Sequence, residues 1–384
     1  MKDYIGIGES HDIQTAVQEA TNGLSNPKAI FIFSKASKFK EVVSLINQKY
    51  PNTIVIGTTG YSFANRSVVR DNVVIWAITG GVEIGVGVLE NAKTAPVKYI
   101  KTLQNRIQRI NPGEDNTICL EFCTSGEEKI VSTISSAINM KNIPLIGGTA
   151  QGVDRDGGKY VSLNGKLYTD ACVYALIKNT EGKVKVYSEN IYKEKSKNYI
   201  ATKVDVENRK IIELNGRNAA EVYCEALGIS KDEITDCVIE NQWSYRGNSR
   251  VLVQGVSNGA LANPLARVIG KEEFLAAIKS VDEKGALSCY KRINQNDVLN
   301  ILELRDYRDV VYDTLRNIRR DFPKISGVFS INCIYRFSLF ENIKFTEEYV
   351  DLMSSVGRHV GIVSEGEQYI NQHVNQTMVC AVFE

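Results

Sequence analysis

The sequence GVFSINC at residues 327–333 is followed by a helical pattern at residues 345–356 and then by HVGIVSEG at residues 359–366. A short apolar run, an amphipathic segment and a second apolar run that ends in glycine predict two neighbouring parallel strands joined by a helix. A polar loop leads from there to another apolar run at residues 377–383. This stretch therefore predicts one βαββ-like unit.

The same order of segments occurs twice earlier in the chain. A glycine turn recurs at the matching place, in GTTG at residues 57–60 and in GGT at residues 147–149. Three copies of one unit predict an α/β fold in which mixed sheets are covered by helices, arranged as two tightly packed domains. The matching segments are residues 28–33, 39–49, 53–59 and 73–79 in the first copy and residues 117–123, 127–138, 143–149 and 160–177 in the second.

A charged stretch, IYKEKSKN at residues 191–198, contains few apolar side chains. It predicts a boundary between a first domain at residues 1–192 and a second domain at residues 193–384. Before it, Asn164 and Gly165 predict a type I′ hairpin turn within residues 162–170. Beyond it, the expected elements are a helix at residues 219–227 that Gly228 ends, strands at residues 251–256, 286–293 and 298–304, and a helix at residues 308–322.

Composition excludes several classes of partner. The 384 residues carry 46 Lys and Arg against 45 Asp and Glu, and this balance argues against a surface that binds nucleic acid or a membrane. The eight cysteines contain no Cys-x-x-Cys pair, so they predict reduced thiols. The longest weakly polar run, Val73–Leu89, is broken by Glu83 and reads as two strands. We therefore expect a cytoplasmic protein with no membrane insertion.

Polar side chains of unusual chemistry follow the two parallel strands of the C-terminal unit. A thiol and a guanidinium follow the first strand, and two carboxylates and an imidazole follow the second. Because the carboxyl ends of neighbouring parallel strands meet at one edge of a sheet, and ligands of open α/β folds bind there, this group predicts a ligand site. Its members are Cys333, Arg336, Glu365, Glu367, His373, Asn375 and Thr377.

Arg336 has two interpretations. Its guanidinium either clamps the carboxylate of an amino acid while Glu365 or Glu367 takes the ammonium group, or it forms an internal ion pair with one of these glutamates. Side chains elsewhere also have two interpretations, because they either line the pocket or belong to turns and core. These are Thr58, Thr59, Gly148 and Thr149 in the two glycine turns, neither of which is a phosphate-binding loop, and Trp243 with Tyr245.

A thiol beside an imidazole also permits nucleophilic chemistry. Cys333 with His373 would suit a Cys-dependent hydrolase or transferase, because an adjacent imidazolium lowers the pKa of a thiol. No signature of a catalytic triad accompanies them, so a structural or ligand-lining thiol is favoured and no catalytic residue is assigned. His359 begins the strand that Glu365 ends, roughly 20 Å away at about 3.3 Å per residue, and cannot complete a metal site. We expect neither a metal nor a cofactor.

Several motifs follow one another in a characteristic order. In the C-terminal half they are IELNGRNAAEVY at 212–223, LG at 227–228, CIYR at 333–336, GIV at 361–363, GE at 366–367 and NQT at 375–377. In the N-terminal half they are VIGTTG at 55–60, LIGGTA at 145–150 and YTD at 168–170. Together they resemble the FIST family of bacterial sensory proteins, which combine an N-terminal and a C-terminal FIST domain. One departure is Tyr61-Ser62, where the family's N-terminal turn usually continues into Gly-Glu.

The resemblance implies a signal-input protein that binds a small ligand, with amino acids as the usual proposal and no established catalytic activity. It favours Arg336 and Glu367 as the residues that hold the charged groups of the ligand. No fused output module is recognisable, so we expect a downstream signalling protein as partner.

Overall fold

The computed structural model describes residues 1–152, 158–229, 261–270 and 272–384. The strand expected at residues 251–256 and the aromatic pair Trp243 and Tyr245 lie outside these residues. Within them, the predicted α/β fold with mixed sheets and covering helices is confirmed. The domain boundary at 192/193 remains a prediction.

The first two units follow each other in the N-terminal half. The first consists of β1 (Lys2–Gly8), α1 (Ile13–Ala20), β2 (Ala29–Ser34), α2 (Ala36–Lys49), β3 (Ile54–Thr59), β4 (Ser62–Ala64), β5 (Ser67–Val69) and β6 (Val73–Gly80). The second consists of β7 (Val82–Glu90), a 3₁₀ turn (Pro96–Tyr99), α3 (Ile100–Ile110), β8 (Thr117–Cys123), α4 (Glu127–Ile138), a 3₁₀ turn (Asn139–Lys141), β9 (Leu145–Thr149), β10 (Val161–Leu163), β11 (Lys166–Tyr168) and β12 (Ala171–Asn179).

A separate sheet interrupts the third unit, which starts with β13 (Val184–Glu189). The inserted part consists of β14 (Tyr192–Asp205), β15 (Lys210–Leu214), β16 (Arg217–Asn218), α5 (Ala219–Leu227), β17 (Leu265–Ile269), β18 (Glu272–Ala276), β19 (Ile278–Val281), β20 (Leu287–Cys289) and β21 (Val298–Leu304). The third unit resumes with α6 (Tyr307–Asp321), β22 (Gly327–Cys333), α7 (Ile334–Asn342), α8 (Thr346–Ser354), β23 (His359–Ser364), β24 (Glu367–Tyr369), β25 (Gln372–Val374) and β26 (Met378–Phe383).

Each unit pairs its strands in the same way. In the first, β2 and β3 are parallel, β6 is antiparallel to β2, and β1 is antiparallel to β6. In the second, β8 and β9 are parallel, with β12 and then β7 beyond β8. In the third, β22 and β23 are parallel, with β26 and then β13 beyond β22. The predicted threefold recurrence is therefore confirmed down to the pairing of the strands.

The polar loop of each unit contains a hairpin that pairs with the sheet of another unit. The hairpin β4–β5 joins β23 of the third unit, β10–β11 joins β3 of the first, and β24–β25 joins β9 of the second. The predicted turn at Asn164 and Gly165 is present, and both residues have the positive φ that a type I′ turn requires, 47° and 84°. This cyclic exchange links the three sheets into one body.

The central strands of the three sheets, such as β2, β8, β22 and β23, are buried on both faces, which explains why they read as continuous apolar runs. The inner faces share one core, where the ring of Phe33 lies 6.0 Å from that of Phe122 and 5.8 Å from that of Phe329, each from a different unit. The outer faces pack against the helices.

Most elements beyond residue 192 agree with the sequence. The helix that Gly228 ends and the strand at 298–304 are present. Asp306 caps the N-terminus of α6, because its carboxylate accepts hydrogen bonds from the backbone N–H groups of Arg308 and Asp309. One helix was not predicted. In α7, directly after Cys333, side chains from Ile334 to Phe340 are buried almost all round, so the segment lacks an amphipathic period.

Candidate functional site

The carboxyl ends of the parallel strands of all three units meet. The backbone N–H of Gln151 donates to the carbonyl of Thr59 (2.8 Å), that of Glu365 to Thr149 (3.0 Å), and that of Val363 to Tyr61 (2.9 Å), so each contact joins two units. The side chains of Thr58, Thr59 and Thr149 are buried at this junction, and Gly148 pairs with Glu367 across the strands β9 and β24. The geometry favours the structural interpretation of the glycine turns.

Glu367 lies at the centre of the predicted site and is completely buried. The hydroxyls of Ser364 and Thr377 each donate a hydrogen bond of 2.8 Å to its carboxylate. Burial raises the pKa of Glu367 to about 8, although the bonds from Thr377 and Ser364 oppose this shift. Burial thus favours the neutral form of this carboxyl, which makes Glu367 a poor source of negative charge for a ligand.

A small enclosed cavity brings three of the predicted residues together. Cys333, Glu365 and Asn375 line it with Tyr290 and Tyr335, and its volume is about 40 Å³. This space suits a water molecule or two but no metabolite. The carboxylate of Glu365 is also engaged, since it accepts a hydrogen bond from the backbone N–H of Gly152 and pairs with Lys159 at 2.5 Å.

The thiol of Cys333 is in the wrong environment for a nucleophile. Its side chain is buried, and burial together with the neighbouring Glu367 raises the pKa of the thiol well above its usual value. The imidazole of His373 lies instead beside the carboxylates of Glu127 and Glu128. The environment of Cys333 thus does not support it as the nucleophile of the hydrolase or transferase alternative.

Arg336 is part of an internal ion pair, with a partner that the sequence did not predict. Its guanidinium is fully buried, donates hydrogen bonds to Glu189 and Asn332, and stacks 4.5 Å from the ring centroid of Phe340. Of the two interpretations of Arg336, the geometry therefore favours the internal ion pair over the ligand clamp, with Glu189 in place of Glu365 or Glu367. The reason is topological, because the exchange of hairpins turns Glu367 towards β9 while Glu189 at the end of β13 faces α7.

A larger cleft lies between the third unit and the inserted sheet. Its volume is about 690 Å³, within the range of roughly 300–1,000 Å³ typical of small-molecule sites. The third unit contributes Tyr369 and Val374 from the hairpin β24–β25 and Thr377 from the loop before β26, together with Ser188 and Asn190. Thr377 is therefore the predicted site residue that lines a space large enough for a metabolite.

The inserted sheet gives this cleft an acidic wall. Glu194, Glu272 and Glu273 line it, against Lys197 as the one cationic side chain among the lining residues that the structure describes. The amide of Asn300 donates to Glu273 at 2.5 Å and to Glu194 at 3.4 Å, so one neutral donor serves two carboxylates. Three carboxylates and one ammonium leave two uncompensated negative charges.

His373 joins a second polar group on the opposite side of the hairpin. Its Nδ1 lies 3.6 Å from Oε1 of Glu128, and one ligand atom each of Glu127, Glu128 and His373 lie within 4.8 Å of one another. Arg209 donates to both glutamates. Although burial opposes it, the neighbouring His373 and Arg209 lower the pKa of Glu128 well below its usual range. His359 is apart from this group, in contact with Ser330 and Phe63.

Several residues of these sites were not predicted. Glu127 and Glu128 read as acidic residues in the first turn of a helix, which the helix dipole alone would explain. Glu194, Glu272, Glu273 and Asn300 lie on strands of the inserted sheet, and Arg209 lies in the turn between β14 and β15. The place of these segments beside the third unit is not encoded in any local pattern.

Comparison with known proteins agrees with this architecture. The model of the FIST N domain matches residues 28–217, and that of the FIST C domain matches residues 219–370. No curated protein matches the chain. Across the described residues, none of the helices has the length and apolar character needed to cross a membrane. The chain belongs to the FIST family, whose domains are small-ligand sensory domains of signal transduction.

Proposed function

We propose that this protein is a sensor that binds a small ammonium-bearing metabolite, such as an amino acid, in the cleft between the third unit and the inserted sheet, without chemical turnover. The observation that carries the proposal is the excess of carboxylates over cations in a cleft of about 690 Å³. Glu273 is half-buried, whereas Glu194 and Glu272 are exposed at the rim. Carboxylates that outnumber cations in a concave site suit a cationic ligand.

The carboxylates Glu273 and Glu194 would receive the ammonium group. Both carboxylates accept a hydrogen bond from the amide of Asn300. The bond to Glu273 is 2.5 Å long and uses Oε1, so Oε2 of Glu273 would face the ligand. Lys197, in an ion pair of 3.5 Å with Glu194, is placed to receive the carboxylate of an amino acid. Arg336, the residue expected to do so, is neutralised by Glu189.

Contacts of the ligand with the floor of the cleft supply a route to the rest of the protein. Thr377 lines the cleft and its hydroxyl also donates to the buried Glu367, which lies on the hairpin paired with β9 of the second unit. A ligand that moves Thr377 therefore acts on a contact between two units. The response would pass to a downstream signalling protein, and the cytoplasmic location and bacterial origin remain predictions.

A thermal-shift screen followed by calorimetry tests the proposal. The probes are amino acids, small diamines and the matching hydroxy acids, which keep the carboxylate and lack the amine. A ligand at about one hundred times its dissociation constant stabilises the protein by about 2.7 kcal/mol. We expect stabilisation by compounds with an ammonium group and none by the hydroxy acids.

The matched variants are Glu273→Gln in the cleft and Glu213→Gln on β15 of the same inserted sheet. We expect Glu273→Gln to weaken binding by at least tenfold, about 1.4 kcal/mol, and Glu213→Gln to leave the affinity unchanged. Binding of hydroxy acids as tight as that of amines, or full affinity in Glu273→Gln, would contradict the proposal.

A further inference from the structure

We propose that Glu127, Glu128 and His373 form a binding site for a divalent transition-metal ion of the Mn²⁺, Fe²⁺ or Zn²⁺ class. One carboxylate oxygen of each glutamate and one ring nitrogen of the histidine lie within 4.8 Å of one another. The two glutamates open α4 of the second unit, while His373 lies on the hairpin that the third unit contributes to the same sheet. The site is separate from the proposed ligand cleft.

The imidazole of His373 is the strongest indication. Its side chain is 3% exposed, and neither ring nitrogen has a hydrogen-bond partner within the described parts of the chain. Oε1 of Glu128 is 3.6 Å from Nδ1, a distance that exceeds the length of a normal hydrogen bond. A buried polar group without a partner costs free energy, and histidine is the commonest metal ligand of proteins.

The carboxylates are oriented by bonds that would leave them available to an ion. Arg209 donates to Oε2 of Glu127 at 3.0 Å and to Oε2 of Glu128 at 2.7 Å. The hydroxyl of Thr149 donates to Oε1 of Glu127 (3.2 Å), and the backbone N–H of Arg292 donates to Oε1 of Glu128 (2.9 Å). Such outer hydrogen bonds fix ligand carboxylates in metal sites.

The charge and the donor types suit this class of ion. Two carboxylates and the guanidinium of Arg209 leave one net negative charge beside the imidazole of His373. One nitrogen and two carboxylate donors favour Mn²⁺, Fe²⁺ and Zn²⁺, whereas Mg²⁺ and Ca²⁺ favour all-oxygen sites. Gln368 offers one more acceptor nearby, because it is paired with His373 across the hairpin, its amide donates to Thr149, and its buried Oε1 has no partner among the described residues.

An ion at this position would join three parts of the fold. Its ligands come from the second and third units, and Arg209, which holds both carboxylates, comes from the segment between β14 and β15 of the inserted sheet. Metal binding would therefore stabilise the docking of the inserted sheet onto the body of the protein. The competing interpretation is that no ion binds and that the imidazolium of His373, together with Arg209, balances the charges of Glu127 and Glu128.

Calorimetric titration of the full chain, first treated with a chelator, tests the site with Mn²⁺ and with Zn²⁺. We expect one equivalent to bind, and His373→Gln and Glu128→Gln each to weaken binding by at least tenfold. His11→Gln is the matched control, because His11 is exposed and remote in sequence from the site, and it should bind as tightly as the unaltered protein. Absence of a stoichiometric site, or equal affinity in His373→Gln, overturns the proposal.

A second measurement on the unaltered protein does not depend on the folding of any variant. The chain has three histidines, so the imidazole signals of ¹⁵N-histidine-labelled protein are few and assignable. We expect Mn²⁺ at one equivalent to broaden the His373 signals and to spare those of His11. Two protonated ring nitrogens on His373 at neutral pH, unaffected by Mn²⁺, would establish the ion network instead and overturn the metal site.

Discussion

Two charged regions flank the end of the third unit, and they differ in how their carboxylates are neutralised. In the interior, Glu189 is paired with Arg336, and both side chains are fully buried. In the cleft, Glu194, Glu272 and Glu273 face one lysine. Interior charges that compensate each other hold elements together, whereas charges left without partners in a concave surface remain available to a ligand.

Two buried carboxyls, Glu121 and Glu367, form a third case, because burial without a paired cation favours the protonated form. Burial raises the pKa of Glu121 and that of Glu367 to about 8. The kind of residue thus does not distinguish a ligand site from the scaffold of this protein. What distinguishes them is whether the neighbouring elements of the fold supply the opposite charge.

The largest expected effect concerns the interior pair. Arg336→Met should lower the free energy of unfolding by about 3–5 kcal/mol, because it leaves the carboxylate of Glu189 buried and unpaired. Chemical denaturation measures this loss, and combining it with Glu189→Gln should recover part of it. Arg316→Met, on the exposed face of α6, is the control and should change stability by less than about 0.5 kcal/mol. If Arg336→Met had near-normal stability but no longer bound the ligand, Arg336 would be a ligand-binding residue and not part of a structural ion pair.

The next effect concerns the reactivity of Cys333. Because its thiol is buried and its pKa is raised, alkylation by iodoacetamide at neutral pH should be at least 100-fold slower in the native protein than in denaturant, equivalent to about 2.7 kcal/mol. Peptide mapping by mass spectrometry reads the rate for Cys333 separately from the other thiols. Selective labelling of Cys333 within minutes in the native state would favour a catalytic thiol.

The pH dependence of the free energy of unfolding tests whether the buried carboxyl of Glu121 has a raised pKa in the folded protein. Glu121 is buried, and burial, with the charge of Glu127 adding to it, raises its folded pKa to about 8 while the hydrogen bond from Cys172 opposes this. Between the unfolded pKa and pH 8, unfolding releases the proton. The stabilising contribution is therefore complete below the unfolded pKa and is lost as the pH rises through about 8, at no more than about 1.4 kcal/mol per pH unit.

Glu121→Gln mimics the protonated carboxyl and should flatten this part of the stability curve between pH 5 and pH 8. Denaturation curves at a series of pH values measure the slope for both proteins. Glu90→Gln, at a partly exposed position at the end of β7, is the control and should keep the original slope. Equal slopes for Glu121→Gln and the unaltered protein would mean that Glu121 is ionised in the folded state.

The smallest effect is expected for the stability of the cleft. Glu194→Gln removes one of several carboxylates that face each other with a shortage of cations, so it should change the free energy of unfolding by no more than about 0.5 kcal/mol. The same denaturation assay measures it. A loss above about 2 kcal/mol would make Glu194 a structural residue and would weaken the assignment of the cleft as the ligand site.

The sequence by itself determined the repeated unit and its helices and strands. Apolar runs of five to seven residues, amphipathic segments and recurrent glycine turns are local patterns, and the parallel pairs β2–β3, β8–β9 and β22–β23 follow from them through the helical crossover. It also indicated that polar side chains gather where Cys333, Glu365 and Asn375 meet. These inferences depend on periodicity and on connections of short length, which the chain specifies directly.

Only the tertiary structure decided which charges are paired. The exchange of hairpins between units buries Glu367 against β9 and brings His373 to Glu127 and Glu128 of the second unit. Arg336 then pairs with Glu189. The inserted sheet then places Glu194 and Glu273 opposite Thr377. These partners are distant in sequence, and their approach depends on the packing of whole sheets. No spacing in the sequence encodes it.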